Sequence, residues 1–333
     1  MDNSVAVIIL NWNAASDTIA CVQSLRAWRQ VQVVVWVVDN ASAPTDVVAI
    51  RHACPEAQVL ENSTNLGFAG GTNCGLRAVL MQSDGSTPLP PILLLNNDAR
   101  IAEASVVQLL KTLADPPPGY TAGLVGPLLY ADPDKARLLS AGSRSMVLHH
   151  HNQIAAPPSE QPIYAVNYIS GSVALLHPAL LKAVGLLDEA YFFSGEVADL
   201  CERARRQGYQ TLVESRATAS HDLGRSSRLR STLHTYYILR NRFLYIRKFY
   251  TGRLLNVPAL LLTLFWALYN VGLAVKLQIQ GQVGPARAVW LATIDGLVGR
   301  FGGQNERVLA VRSEFRPDST VAGKSPANYG NQP

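Results

Sequence analysis

Three runs in the first hundred residues, "VAVIILN" (Val5–Asn11), "VVVWVVDN" (Val33–Asn40) and "ILLLNND" (Ile92–Asp98), are almost wholly apolar and end abruptly in Asn or Asp. An unbroken apolar strand has both faces covered, which is the condition of a parallel sheet packed between helices. Helical patterns lie between the runs. Ser16 stands at a cap position with Ile19, Val22 and Leu25 on one face, and Val47–His52 reads as a second helix. "QVLE" near Val59 is a short third strand, and "NLGFAGGTNCGLRAVL" is a glycine-rich turn that opens another helix. This βαβαβ order predicts an α/β fold with a doubly wound, mainly parallel sheet. Ligands of such sheets bind beyond the carboxyl ends of the strands, where Asn11, Asp39 and Asp98 fall.

The 333 residues suffice for one large α/β domain with an appendage. The breaker "ADPPPGY" divides a first half, residues 1–120, from a second half, 121–235. In the second half, order resumes at "IYAVNYISGSVALLH". A helix is expected at Pro178–Val184 and another at Glu196–Gln207, closed by Gly208. Two short strands, near Thr211–Val213 and Ala217–Ser220, lead to His221. A third segment, 236–312, differs in kind: no charge lies between Arg253 and Lys276. That is roughly the ~20 residues that would cross a hydrocarbon core. Basic residues stand on both sides of it, whereas a simple span should show asymmetry. Helices lying in the cytoplasmic face of a membrane are the expectation, and a buried soluble helix is the alternative, since Pro258, Asn270 and Gly272 interrupt the stretch. The polar tail, 313–333, reads as disordered.

Hydrophobic content of 48% with only 16% charged residues leaves a surface poor in charge, or one that does not wholly face water. The net charge of +5 suits phosphate-bearing substrates or an anionic membrane surface, not nucleic acid. Cys21, Cys54, Cys74 and Cys201 are scattered without C-x-x-C pairing and read as reduced residues of a cytoplasmic protein, and no secretory signal is expected.

Asn96-x-Asp98 directs two oxygen ligands toward one point, as a Mg²⁺ or Mn²⁺ site that leaves positions for substrate phosphates would require. Taken alone the triplet is a turn. Asp39 closes its strand where a nucleotide's base or ribose would lie. "N-x-G-F-x-G-G-x-N", Asn65 to Asn73, offers backbone approach at Gly67 and Gly71 before a helix N-terminus that favours anions. Its spacing is not G-x-G-x-x-G, so a nicotinamide cofactor is not indicated. The run His149–His151 is discounted as a metal site, because adjacent histidines in a loop point different ways.

With "ISGSVALLH", "GLLDEAYFFSGEVADLCERARRQGY", "SHDLGRSS" and "YYILRNRFLYIRK" in order after these motifs, the chain from Val5 to Lys248 resembles glycosyltransferase family 2. Within it, the likeness is to the rhamnosyltransferase-like bacterial enzymes of surface-polysaccharide biosynthesis. The resemblance implies a GT-A fold, a nucleotide-diphosphate sugar donor, with dTDP-rhamnose a candidate, a divalent cation and inversion at the anomeric carbon. It implies a glycan or lipid-linked glycan acceptor at the inner face of the cell membrane. Asp98 matches the metal-binding acid of the family's D-x-D motif, with Asn96 replacing its first acid, and His221 would complete the metal and diphosphate site. Asp39 matches the nucleoside-binding Asp. Asn11, Asn65, Gly67, Gly71, Asn73, Asn96, Asn97, Arg225 and Arg240 join it as donor-binding candidates, with Ser226 beside Arg225; Gly171 and Ser172 are acceptor-pocket candidates. Arg240 and Arg242 could also meet phosphate in a lipid carrier.

The chemistry explains why these groups are needed. Charge grows on the departing nucleoside diphosphate, and a cation with nearby donors stabilises it, while an acceptor hydroxyl needs a general base. Here the chain departs from its relatives. Where they carry an acidic pair, it has Glu196-Val197. Glu196 is the base candidate; its alternative is a first-turn acid complementing the helix dipole. Asp199 is the second catalytic candidate, although Arg203 at i+4 offers it an ion pair. Two other functions stay open. A nucleotidyltransferase would carry a G-x-G-T-R-like loop where this chain has "NWNAASD", and a catalytically weak sugar-nucleotide-binding protein would suit Val197.

Overall fold

The computed structural model describes residues 3–83, 88–131, 137–158, 160–222, 228–251 and 256–313. Arg225, Ser226, Arg253 and the tail beyond 313 lie outside them. The first half runs β1 (Ser4–Asn11), α1 (Ala15–Leu25), β2 (Gln32–Asp39), α2 (Pro44–Ala53), β3 (Gln58–Glu61), α3 (Gly67–Leu80), β4 (Ile92–Leu95), β5 (Ala99–Ile101) and α4 (Glu103–Ala114). The second adds β6 (Ala122–Tyr130), β7 (Leu138–Ser140), β8 (Ile163–Val166), β9 (Val173–Leu176), α5 (Pro178–Val184), α6 (Glu196–Arg206) and β10 (Gln210–His221). Four helices end the described chain: α7 (Arg228–Tyr250), α8 (Val257–Ile279), α9 (Val283–Val298) and α10 (Asn305–Ser313).

The strands form one sheet in the order β3-β2-β1-β4-β9-β6-β10-β5, so the two halves share it. β1 is parallel to β2 and β4, and β2 to β3, as the apolar runs require. β9 enters antiparallel between β4 and β6 and makes the sheet mixed. β1 shows why its run is unbroken. Val5, Val7 and Ile9 pack on one face with Cys21 and Val22 of α1 and Leu109 of α4, while Ala6 and Ile8 pack on the other with Leu76 of α3 and Leu200 of α6. All four cysteines are free thiols.

Two registers place the polar strand ends. Asn11 pairs with Asp39 across β1 and β2, and His221 pairs with Ala99 across β10 and β5, which sets His221 beside Asp98. The expected strands at 211–213 and 217–220 are one strand with an irregularity between Glu214 and Thr218. Ser16 is not the cap of α1. The helix begins at Ala15, whose N–H donates to Asp46 Oδ2 at 3.1 Å, so the cap comes from another helix. In the C-terminal bundle α8 packs on α7 and α9 through a stripe of Ala259, Trp266, Asn270 and Ala274, leaving Leu260, Leu261, Leu264, Phe265 and Leu268 exposed. Among the described residues α8 is the one helix long and apolar enough by length and composition to cross a membrane.

Candidate functional site

The carboxyl edge of the sheet is a continuous hydrogen-bonded line. Asn97 Nδ2 donates to Thr18 Oγ1 (3.0 Å), Thr18 Oγ1 donates to Asn11 Oδ1 (2.7 Å), and Asn11 Nδ2 donates to Asp39 Oδ1 (2.7 Å). Asp39 Oδ2 accepts from the Ser42 N–H at 2.9 Å, and Asn11 also reaches Ser42 Oγ at 3.1 Å. A buried polar group without a partner is costly, and this line satisfies three of them, Asn11, Thr18 and Asp39, at once. Asp39 is thereby fixed on the wall of an open cleft of about 430 Å³ that Ser42, Val47, Arg51, Glu61 and Asn62 also line. The cleft lies beyond the ends of β2 and β3, where a doubly wound sheet binds ligands. Thr18 and Ser42 escaped the sequence reading. Thr18 had a signal, since its helical neighbours Cys21, Val22 and Leu25 all face the core.

A second cluster forms where β4 and β10 end and β9 begins. His221 Nε2 lies 3.0 Å from Asp98 Oδ1, and His221 Nδ1 lies 3.4 Å from Ser172 Oγ. The Asn96 side chain donates to the same Ser172 hydroxyl at 3.4 Å, and its main-chain N–H donates to Ser172 O at 2.8 Å. The proposed metal ligands Asp98 and His221 therefore come together, with Asn96 and Ser172 beside them. Asp98 Oδ1 is buried without an aligned hydrogen bond. An orphaned carboxylate oxygen beside an imidazole nitrogen fits a hard divalent ion that takes one or two protein ligands and completes its shell with phosphates. Among the described residues no three acidic, His or Cys side chains converge as a closed cage.

Gly171 links this cluster to α6. A Cβ on Gly171 would stand 2.9 Å from Val197 Cγ2, so glycine lets the turn touch the first turn of the helix. Glu196, 6% exposed, begins α6 with a buried and unpartnered Oε2. Burial pushes its carboxyl up to about 7; main-chain N–H groups at Glu196 and Ser194 pull it back, and Asp199 adds to the rise.

Several expected site residues are placed differently. Asp199, the second catalytic candidate, is fully buried in an ion pair with Arg203 (2.6 Å) and Lys248, as its i+4 partner allowed. It is a structural anchor, because its charge is countered from within. Arg240, expected at the donor, is fully buried; its guanidinium donates to Gly302 O (2.6 Å), Tyr191 O (3.0 Å) and Asn241 Oδ1. The glycine-rich turn packs closely against the protein's own atoms. A Cβ at Gly67 would stand 2.3 Å from Phe192 O, and one at Gly71 would stand 2.5 Å from Leu10 Cδ1. The Ala69 N–H near the start of α3 already donates to Phe192 O at 3.2 Å, so a protein carbonyl holds the place foreseen for an anion. Asn65 Oδ1 braces the turn by accepting from Gly67 N (2.8 Å) and Asn40 Nδ2 (2.9 Å). Asn73 ties α3 to Leu187 and Glu189. Asn97 faces Thr18. Arg225 lies outside the described residues.

Asn241 was missed altogether. Its Nδ2 donates to Tyr191 O, Phe193 O and Ser194 O at 2.6–3.0 Å, holding the loop before Glu196.

Comparison with known proteins follows the same architecture. The model of the family Glycosyl transferase family 2 matches residues 6–140. An N-acetylglucosaminyl-diphospho-decaprenol L-rhamnosyltransferase of Mycobacterium tuberculosis is 25% identical over 270 residues, covering 73% of this chain and 86% of its own. The low-salt glycan biosynthesis hexosyltransferase Agl10 of Haloferax volcanii is 22% identical over 251 residues, covering 73% and 76%. Among solved structures, a mannosyltransferase of Pyrobaculum calidifontis in complex with GDP-Man and Mn²⁺ superposes with a TM-score of 0.56 at 16% identity, over 89% of this chain and 87% of that one. Residues 6–140 therefore form a glycosyltransferase family 2 domain, in a chain with a GT-A fold.

Proposed function

We propose that the protein is an inverting, metal-dependent glycosyltransferase that moves a sugar from a nucleotide-diphosphate donor to a lipid-linked glycan. The observation that carries this reading is Asp98 Oδ1, buried, without an aligned hydrogen bond and 3.0 Å from His221 Nε2. The donor's nucleoside would occupy the cleft walled by Asp39, with its diphosphate toward Asp98 and His221. A Mg²⁺ or Mn²⁺ ion held by Asp98 and His221 would supply Lewis-acid stabilisation of the leaving diphosphate. Ser172 orients His221 through Nδ1, and Gly171 brings the turn beneath the sugar against Val197. Glu196 is the general base. Its buried carboxyl titrates near neutrality, where a base works best.

The chain shares its likeness with a rhamnosyltransferase named for a diphospho-decaprenol-linked sugar, which supports a rhamnose donor and a lipid-carried acceptor as the first pair to test. The exposed apolar faces of α8 and of α9, with Trp290, Ile294 and Leu297, support attachment to the cytoplasmic face of the membrane, where such acceptors are presented.

A thermal-shift panel of sugar nucleotides, with and without Mn²⁺, tests donor and cation together. The parent protein is expected to be stabilised by one nucleotide-diphosphate sugar only in the presence of the cation. Asp98→Asn should abolish that cation-dependent shift while leaving the unliganded melting temperature within about 2 °C. An unchanged calorimetric affinity in the variant would reject the assignment.

A donor-binding protein of low turnover is the second reading, favoured by Val197 at the position where the family that the chain resembles commonly carries an acid. Release of nucleoside diphosphate from the donor separates the two.

A further inference from the structure

The middle of α7 places three polar residues in succession inside the protein: Arg240, Asn241 and Arg242, each at most 6% exposed. Arg240 and Asn241 are satisfied by carbonyl groups. Arg242 is not. Its Nε is buried without a hydrogen bond, and among the described residues no carboxylate pairs with it. The guanidinium lies over the Trp266 ring, 3.7 Å from the centroid. The titratable groups that act on it are Tyr168, Tyr269 and His150; none is a carboxylate, and burial pushes Arg242 down to about 10. A buried cation with no carboxylate partner is costly, so an arrangement of this kind calls for an anion from outside.

The surroundings say what kind of anion. His150, which is exposed, places Nε2 2.5 Å from Tyr269 Oη and its ring beside Trp266, so a polar rim opens to solvent next to the buried guanidinium. Trp266 and Tyr269 belong to α8, whose outer face is exposed leucine and phenylalanine. On the other side the same apolar cluster, Met146, Val147 and Trp266, includes Ala198, two residues beyond Glu196. A forked cation next to an apolar helix, one cluster away from the base, suits a phosphate carried on a hydrocarbon chain.

We propose that Arg242, with Tyr269 and His150 at its mouth, is a subsite for the phosphate of the acceptor's lipid carrier. The subsite is separate from the donor diphosphate at Asp98 and His221. It rests on the lipid-linked-acceptor reading above. The hydrocarbon chain would run outward along Leu261, Leu264 and Leu268, leaving the acceptor sugar on the Glu196 side.

The test uses the full chain with divalent ions chelated, so that the donor site cannot hold a diphosphate. Farnesyl diphosphate, farnesol and inorganic diphosphate are compared by thermal shift and calorimetry, and vesicle binding by flotation on phosphatidylglycerol–phosphatidylcholine liposomes. Farnesyl diphosphate should stabilise the parent protein, inorganic diphosphate should do so weakly, and farnesol should not. Arg242→Met should bind farnesyl diphosphate about tenfold or more weakly, since one charge-assisted partner is lost. It should keep its flotation and its Mn²⁺-dependent nucleotide-sugar binding, and melt no lower than the parent when unliganded, because a lone buried charge has gone. Parent-like affinity for farnesyl diphosphate in Arg242→Met overturns the proposal, and so does loss of flotation, which would assign Arg242 to headgroups of the bilayer. If Arg242→Met fails to fold, Arg242→Lys keeps the charge without the fork and should weaken binding several-fold; unchanged affinity overturns the proposal equally. Because no turnover is read, failure of glycosyl transfer itself would show separately, as absent nucleoside-diphosphate release with this binding intact.

Discussion

Glu196 is held where its charged form is disfavoured, and both its chemistry and its effect on stability follow from that. A base must be ionised, so a carboxyl that titrates at about 7 makes turnover climb with pH through neutrality. Glu196→Gln should lower kcat by on the order of 10²–10⁴ and leave donor affinity unchanged, and its residual rate should lose the neutral limb of the pH profile. The stability effect has the opposite sign. The folded state keeps this proton up to about 7, whereas the unfolded chain releases it near 4.5. Folded-state stability therefore falls as pH rises from 4.5 to 7. Removing the charge should stabilise the protein by on the order of 3 kcal/mol at pH 8 and by less than about 1 kcal/mol at pH 5. Melting temperatures of parent and Gln variant at the two pH values check this; a gap that does not change with pH would assign the carboxyl an ordinary surface-like environment. Asp199, three positions on in the same helix, shows why residue type alone does not decide the matter. Its burial is countered by Arg203 and Lys248, so it serves as an anchor with no chemistry left to offer.

At the scale of elements, the segment that decides the geometry of Glu196, the proposed base, is the loop between Tyr191 and Glu196. Phe192 (φ 62°), Ser194 (φ 68°) and Gly195 (φ 104°) all occupy left-handed backbone, which non-glycine residues rarely adopt unsupported. The support is Asn241, whose amide donates to three carbonyls of the loop, and Arg240 beside it. Asn241→Ala should cost about 1–3 kcal/mol for the carbonyls left unsatisfied. Asn241→Asp, nearly the same shape, should cost more, because it faces those carbonyls with negative charge. Urea unfolding of both variants is the measurement; an Asp variant as stable as Ala would mean that packing, not donation, holds the loop. This loop was also the least legible part of the sequence. β1, β2 and β4 could be read because an apolar run is a local property, and α5 and α6 because their caps and periodicity are local too. The loop's conformation is set by Asn241, about fifty positions away. For the same reason the Asn65–Asn73 turn looked like an anion cradle. Its glycines announce a close approach, but the approaching groups are Phe192 O and Leu10, which no spacing rule reveals. Asp98 and His221 were legible as candidates, yet their meeting depends on the register of β5 against β10.

Taken whole, the molecule presents two surfaces of different character. The cleft walled by Asp39, proposed for the donor, and the Asp98–His221 cluster lie at the carboxyl edge of the sheet, while α8 turns Leu260, Leu261, Leu264, Phe265 and Leu268 to the outside. A helix that is buried in a soluble core would hide such a face; here 22% of its most apolar window is buried inside the protein. The basic residues around the bundle, which looked like flanks of an interfacial helix in the sequence, are divided in their roles. Arg240 and Arg242 are interior, and Lys248 is tied to Asp188 and Asp199. In the proposed attachment to a bilayer, apolar contact should therefore outweigh charge. A leucine side chain fully removed from water contributes about 1.5–3 kcal/mol, so replacing Leu264 and Leu268 together by Gln should weaken partition onto vesicles by on the order of 10²-fold. Both side chains are more than half exposed, at 53% and 63%, so the fold and soluble-donor binding should be unaffected. Raising the salt concentration should release the parent protein far less than the double substitution does. Flotation that survives the substitution but collapses in salt would reverse the argument and place the attachment on the basic surface instead.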